Sequence, residues 1–119
     1  MFRLAALLPV LAFAACAAAP AQAARCDVTI KFGSYGMGID RPLADKVAAA
    51  VKDDRDVARS ERKPWGREGE YDLCLTAKPA RNVKAMYERY RAMLPARNLQ
   101  APTSIEGPDG LRFETIGPM

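Results

Sequence analysis

Apolar and polar residues alternate in several short stretches of this chain, which is the pattern of half-buried β-strands. The clearest stretch, 26–32, places valine, isoleucine and phenylalanine on one face and polar residues on the other. Two further stretches, 70–76 and 111–116, alternate in the same way, and a strong turn signal between 103–106 and the last stretch predicts one extra short strand. A fourth stretch, 57–63, is heavily charged, which is typical of an edge strand protected against pairing with other sheets.

Two other segments repeat apolar residues at intervals of three and four, the spacing of one face of a helix. The first segment follows Asp40, a predicted N-cap, and carries Pro42 in its first turn, where the missing N–H costs nothing. The second segment follows Asn82, also a predicted cap, and ends before Pro95. The chain therefore alternates between the two periods in the order β-α-β-β-α-β.

Strands with one apolar face and helices with one apolar stripe bury those surfaces best as two layers. The right-handed crossover rule applied to this order favours an α+β, ferredoxin-like sandwich with two helices on one face of an antiparallel or mixed sheet. The first and third strands would be central, and the extra short strand near the C-terminus would extend the sheet.

Residues 1–23 have the composition of a cleaved secretory signal peptide. Arg3 supplies the positive charge, 4–19 is an apolar run rich in alanine, and the small residues Ala21 and Ala23 stand where signal peptidase cleaves. We expect cleavage after Ala23.

Cleavage leaves one small domain, 24–119, in the periplasm or outside the cell, with no stable insertion into a membrane. Two alternatives stay open at this point. Lipid attachment at Cys16 would follow from the small residues before it, whereas an uncut anchor would have to span with an apolar run of about 16 residues, short of the roughly 20 required.

Export changes which cysteines the mature protein contains and how they are interpreted. Removal of the signal takes Cys16 away and leaves Cys26 and Cys74, which in an oxidising compartment predict a disulfide, with a pair of buried free thiols as the alternative. Strict alternation puts Cys26 on the core face and Cys74 on the opposite face. The bridge therefore requires Cys26 to lie just before the regular strand.

Charge and composition exclude several classes of function. The formal net charge is +4 with both signs interspersed, so no basic stripe for nucleic acid is present. The chain has no histidine, which removes Ser-His and Cys-His nucleophiles, a histidine base and histidine zinc sites. We expect no catalytic residues, no metal site and no cofactor.

Two segments are candidates for binding. One joins a strand to a helix N-terminus, the position of phosphate-binding loops, and its candidate ligand residues are Gly33, Ser34, Tyr35, Gly36 and Gly38. The other is a predicted hairpin whose candidate partner-binding residues are Trp65, Arg67 and Glu68. The alternatives are a purely conformational turn for the loop and a tryptophan that covers an open edge of the core.

Two charged clusters are further candidates. The basic residues around the second helix form either a solvated helix face or a surface for an acidic partner. They are Arg81, Lys84, Arg89, Arg91 and Arg97. The carboxylates Asp53, Asp54 and Asp56 are a candidate for a weak cation site, although they lack the EF-hand pattern. The open face of the sheet, of mixed charge and short polar groups, offers no apolar anchor.

These observations favour a small exported binding or structural module without catalysis, acting on a protein or small ligand that the sequence does not identify. The alternative is a small enzyme or enzyme inhibitor that binds an anionic ligand in the 33–38 loop.

Overall fold

Five strands and two α-helices make up residues 25–119, the part of the chain that the computed structural model describes. The predicted signal peptide and Cys16 lie outside these residues, so cleavage and lipidation stay predictions. In chain order the elements are β1 (Val28–Phe32), α1 (Arg41–Asp53), β2 (Val57–Pro64), β3 (Tyr71–Ala77), α2 (Val83–Arg91), β4 (Thr103–Glu106), a 3-10 turn (Pro108–Gly110) and β5 (Arg112–Glu114).

The strands form one sheet in the order β2-β3-β1-β4-β5, with every neighbouring pair antiparallel. The predicted α+β class is confirmed. The ferredoxin-like arrangement is not confirmed, because the sheet has five strands in this order. The stretch 111–116, expected to be the last strand of the core, is instead the short outer strand β5, and 103–106 pairs with both β1 and β5.

Both helices begin where the sequence predicts. The Asp40 carboxylate accepts a hydrogen bond from the backbone N–H of Leu43 (3.2 Å), and the Asn82 side chain accepts one from Ala85 (3.0 Å). Each bond satisfies an N–H group of a first turn that has no partner within its helix. Neither helix within residues 25–119 has the length and apolar character needed to cross a membrane.

The core is a single cluster on one face of the sheet. Both helices and three strands contribute to it, so both helices cover the same face, and its most buried side chains are Val28, Ile30, Phe32, Val47, Leu75, Met86 and Ile105. The other face, which we call the open face, carries the alternate residues of the strands, including Thr29, Lys31, Glu61, Asp72, Ser104 and Glu114.

A disulfide joins Cys26 to Cys74, with the two Cα atoms 5.1 Å apart. Cys74 lies opposite Thr29 and therefore on the open face, whereas Cys26 precedes β1. The predicted bridge is confirmed, together with the condition that Cys26 lies outside the regular pleat.

Strand β2 is the long edge of the sheet. It pairs with β3 alone, and its residues are exposed except for Val57, which is half-buried. The register shifts between Val57 and Arg59, so the strand begins with a bulge. Charges, a bulge and a terminal proline all limit the strands with which an edge can pair.

Candidate functional site

Three connections and the C-terminal segment meet at one end of the sandwich. β1, β2 and β5 run towards this end and β3 and β4 leave it, since neighbouring strands are antiparallel. We call it the loop end, and it comprises residues 33–40, 65–70, 92–102 and 115–119. The opposite end, which we call the polar end, comprises 54–56, 78–82 and 107–111.

All the exposed large apolar side chains that the structure describes lie at the loop end. Met37 is 93% exposed and Trp65 is 58% exposed, and the full set is Tyr35, Met37, Trp65, Leu99, Ile116 and Met119. Each of them alone would be ordinary for a protein surface. Six such side chains at one end of a small domain make that end a candidate interaction surface.

The two candidate segments predicted from the sequence touch each other at this end. The Ser34 hydroxyl donates a hydrogen bond to the Glu68 carboxylate, and Ser34 Oγ accepts hydrogen bonds from the backbone N–H groups of Gly36 (2.9 Å) and Gly38 (3.0 Å). The Gly38 N–H also lies 3.3 Å from Glu68 Oε2. The loop and the hairpin therefore form one unit, which we call the Ser34–Glu68 latch.

The latch determines what the loop can do chemically. The Glu68 carboxylate occupies the place where an anionic ligand would meet the loop. Ser34 Oγ donates its proton and accepts two N–H groups, which uses the hydrogen-bonding capacity of a hydroxyl completely. Because both lone pairs of Oγ are engaged, the hydroxyl has no free lone pair to present to a ligand.

Backbone geometry explains why two of the loop positions are glycine. Gly38 has φ +91°, in the left-handed region that a side chain disfavours, and this turns its N–H towards Ser34. Gly33 is buried, and a Cβ there would lie 2.9 Å from Cγ of Pro102. These constraints support the conformational interpretation of the glycines.

Trp65 lies over the rim of the open face. Its indole N–H donates to Asp72 Oδ1 (2.9 Å), and Asp72 belongs to the open face. A shallow cavity of about 170 Å³ opens beside the indole, lined by Trp65, Lys31, Gly33, Pro102, Ser104 and Glu114 among others. The expectation that the open face has no apolar anchor is thus corrected, because the hairpin brings its tryptophan onto that face.

The C-terminal segment completes the loop end. The Asn98 side-chain amide donates to Asp40 Oδ2 (2.8 Å), and the Asn98 backbone N–H donates to the carbonyl of Ile116 (3.0 Å). A side chain at Gly117 would collide with the Tyr35 hydroxyl, so the ring of Tyr35 lies against this segment. Sequence reasoning missed Asn98 and Leu99, because the connection that holds them carries no periodic pattern, and it placed Ile116 in the alternating strand 111–116, whereas β5 ends at Glu114.

The polar end holds a different cluster, built around Asp54. The Tyr90 hydroxyl donates to Asp54 Oδ2 (2.7 Å), and Arg89 Nη2 lies 2.9 Å from the same oxygen and 3.2 Å from Asp56 Oδ2. Burial acts to raise the pKa of Asp54, but the hydrogen bonds from Tyr90, the Asp56 backbone and Arg89 outweigh it, and the pKa is lowered. A guanidinium therefore occupies the position considered for a cation.

The basic residues of the second helix do not act as one surface. Arg89 is bound to Asp54 and Asp56, and Arg81 Nε lies 3.6 Å from Asp56 Oδ1. The guanidinium of Arg91 stacks over the ring of Phe113, 4.6 Å from its centre. An acidic partner at this helix thus has little support from the geometry.

Comparisons with known proteins add no assignment. No protein-family model, no curated protein and no solved structure matches the chain.

Proposed function

We propose that this chain is a small exported binding module, without catalysis, that binds a protein partner through the loop end. The observation that carries the proposal is the gathering of the exposed large apolar side chains at that end. Trp65 and Met37 are the anchors, since they combine size with exposure, and Arg67 provides a neighbouring exposed charge. Glu68 takes a positioning role in the latch.

Trp65 is suited to this role because its orientation is fixed before any partner arrives. The bond from its indole to Asp72 holds the ring at the rim of the open face while most of it stays exposed. A side chain that is already ordered loses less conformational entropy on binding. Tryptophan is also among the residues that most often dominate the binding energy of an interface.

Export is supported by the Cys26–Cys74 disulfide, because such bonds persist mainly in oxidising compartments. We also infer that β1 to β4, with both helices, constitute a ferredoxin-like core to which β5 is an addition. The support is the order β2-β3-β1-β4 with antiparallel neighbours, together with one cluster of buried residues shared by both helices.

The alternative function, an enzyme or inhibitor that binds an anion in the 33–38 loop, requires Glu68 to leave the loop. Inorganic phosphate tests it directly. Under the binding-module proposal, phosphate leaves the melting temperature at the value found in sodium chloride of equal ionic strength. A rise specific to phosphate, retained in Glu68→Ala, would favour the alternative.

The proposed surface is tested by photo-crosslinking in the exporting cell. We expect a photoreactive side chain at position 37 to give a discrete adduct with a second protein, and the same side chain at position 109, on the polar end, to give none. The adduct should disappear in Trp65→Ala. Adducts from both positions, or an adduct that persists in Trp65→Ala, would contradict the proposal.

A stability control separates the loss of an anchor from the loss of the fold. Trp65→Ala should change the melting temperature little, because most of the indole is exposed. Phe32→Ala, in the buried core, should cost about 3–5 kcal/mol of unfolding free energy. A comparable loss in both variants would mean that Trp65 is part of the core.

A further inference from the structure

The free edge of β2 presents backbone groups whose positions follow from the β2–β3 ladder. The Trp65 N–H donates to the carbonyl of Glu70 (3.2 Å) at the turn. Opposite residues of an antiparallel pair alternate between hydrogen-bonded and non-hydrogen-bonded pairs. Lys63 and Glu61 are therefore bonded to β3, whereas Ser60 and Arg62 direct their N–H and C=O groups away from the sheet.

The usable part of this edge is short. The register shift between Val57 and Arg59 interrupts the regular ladder at one end of β2, and Pro64 has no N–H to offer at the other. A strand that pairs here must therefore centre near 60–62. The opposite edge, β5, has only three residues.

We propose that β2 pairs with β2 of a second copy of this chain, antiparallel and centred on Ser60, to form a symmetric dimer. In this register Ser60 faces Ser60 of the second copy, and both backbone groups of each serine are used. Arg59 then lies directly opposite Glu61 of the second copy, and Glu61 opposite its Arg59. Two ion pairs thus form across the two-fold axis, each between an arginine and a glutamate.

The neighbouring symmetric registers are worse for reasons of charge. Centring on Glu61 sets two glutamates directly opposite each other, and centring on Arg62 does the same with two arginines. Like charges directly opposite each other destabilise a strand pair, and opposite charges stabilise it. Of the registers centred on residues 60, 61 and 62, that of Ser60 is the one without like charges facing each other at its centre.

The side chains that would pair are placed for it. Arg59 and Glu61 lie on the same face of β2, with Arg59 Nη2 3.9 Å from Glu61 Oε2, and their side chains are 63% and 46% exposed. In the dimer they face each other in a non-hydrogen-bonded pair, in which side chains approach most closely. Arg62 projects from the other face, where its guanidinium lies 4.8 Å from the centre of the Tyr71 ring.

Sedimentation of the protein expressed from the full chain tests the proposal. We expect a monomer–dimer equilibrium that Glu61→Arg weakens by roughly tenfold or more, because two attractive pairs become repulsive. The double variant Arg59→Glu, Glu61→Arg should restore the dimer, because it exchanges the charges. Arg112→Glu, an exposed charge on β5, is the matched control and should have no effect.

A cysteine cross-link tests the register itself. In the Ser60 register, Ser60→Cys brings two cysteines to a Cα separation of about 5.5 Å, within the range of a disulfide. Mild oxidation should then give a covalent dimer much faster than with Arg62→Cys, whose opposite residue is Ala58. A monomer up to about 1 mM, a dimer insensitive to Glu61→Arg, or equal cross-linking of both cysteine variants would overturn the proposal.

Discussion

The Ser34 hydroxyl donates a hydrogen bond to the Glu68 carboxylate across 34 positions of the chain. This contact joins the β1–α1 loop to the β2–β3 hairpin and thereby fixes the end of the sandwich that carries Trp65 and Met37. It also places the Glu68 carboxylate beside the Gly38 N–H, where an anionic ligand would otherwise bind.

We expect Ser34→Ala and Glu68→Ala each to lower the unfolding free energy by about 1 kcal/mol, because each removes one partner of the latch. The double variant should lose clearly less than the sum, since residues in contact couple. Urea unfolding measures all three. Glu114→Ala, another exposed glutamate, is the control, and losses that simply add would mean that the two side chains do not interact.

Reduction of the Cys26–Cys74 bridge should lower the unfolding free energy by about 4 kcal/mol on the chain-entropy model, given its separation of 48 residues. Guanidinium unfolding with and without dithiothreitol measures this loss. The Cys26→Ser, Cys74→Ser variant should unfold identically under both conditions. Titration of the denatured, unreduced protein should find no free thiol at these positions, and two free thiols would contradict the bridge.

The stability should fall in acid partly through Asp54. Its pKa is lowered in the folded state, so the ionised form stabilises the fold above the unfolded-state pKa of about 3.9, and that stabilisation is lost as the pH falls through the lower folded-state value. Asp54→Asn should therefore cost about 1–2 kcal/mol at pH 7 and much less near pH 2.

Urea unfolding between pH 2 and pH 7 shows this as a flatter acid limb for Asp54→Asn. Asp53→Asn is the control, because that neighbouring carboxylate is exposed and should leave the slope unchanged. If the unfolding free energy falls equally steeply with pH in the wild type and in Asp54→Asn, Asp54 does not contribute to the loss of stability in acid.

The exported protein should begin at Ala24. Ala21 and Ala23 stand at the two positions that signal peptidase reads, after an apolar run too short to span a membrane. Intact-mass measurement of protein recovered from the periplasm or medium should give residues 24–119 with one disulfide. A lipid-modified species that begins at Cys16 would contradict cleavage after Ala23 and establish lipid attachment instead.

The elements of the fold were predictable from the sequence because they depend on local periodicity and local caps. Asp40 and Asn82 set the helix starts through contacts three residues away, and the alternation of 26–32 identified the strand at the centre of the sheet. The place of β4 beside β1 was not predictable in this way. Four residues alternate too briefly to decide between a core strand and an addition at the edge.

The candidate site was predicted in its parts but not in its assembly. The loop and the hairpin were both identified by composition, yet the contact of Ser34 with Glu68 depends on the tertiary fold. The same holds for Asn98, which is buried and binds both Asp40 and the C-terminal segment. Polar residues in irregular connections give no periodic signal, so their partners appear only once the chain is folded.

The direction of β1 decides how this protein can be attached to anything else. Arg25 lies at the polar end, one strand length away from Trp65, whereas Met119 lies at the loop end among the apolar side chains. A support, label or fused protein joined before Arg25 therefore leaves Trp65 and Met37 displayed to solvent. The same group joined after Met119 stands beside them and screens the surface.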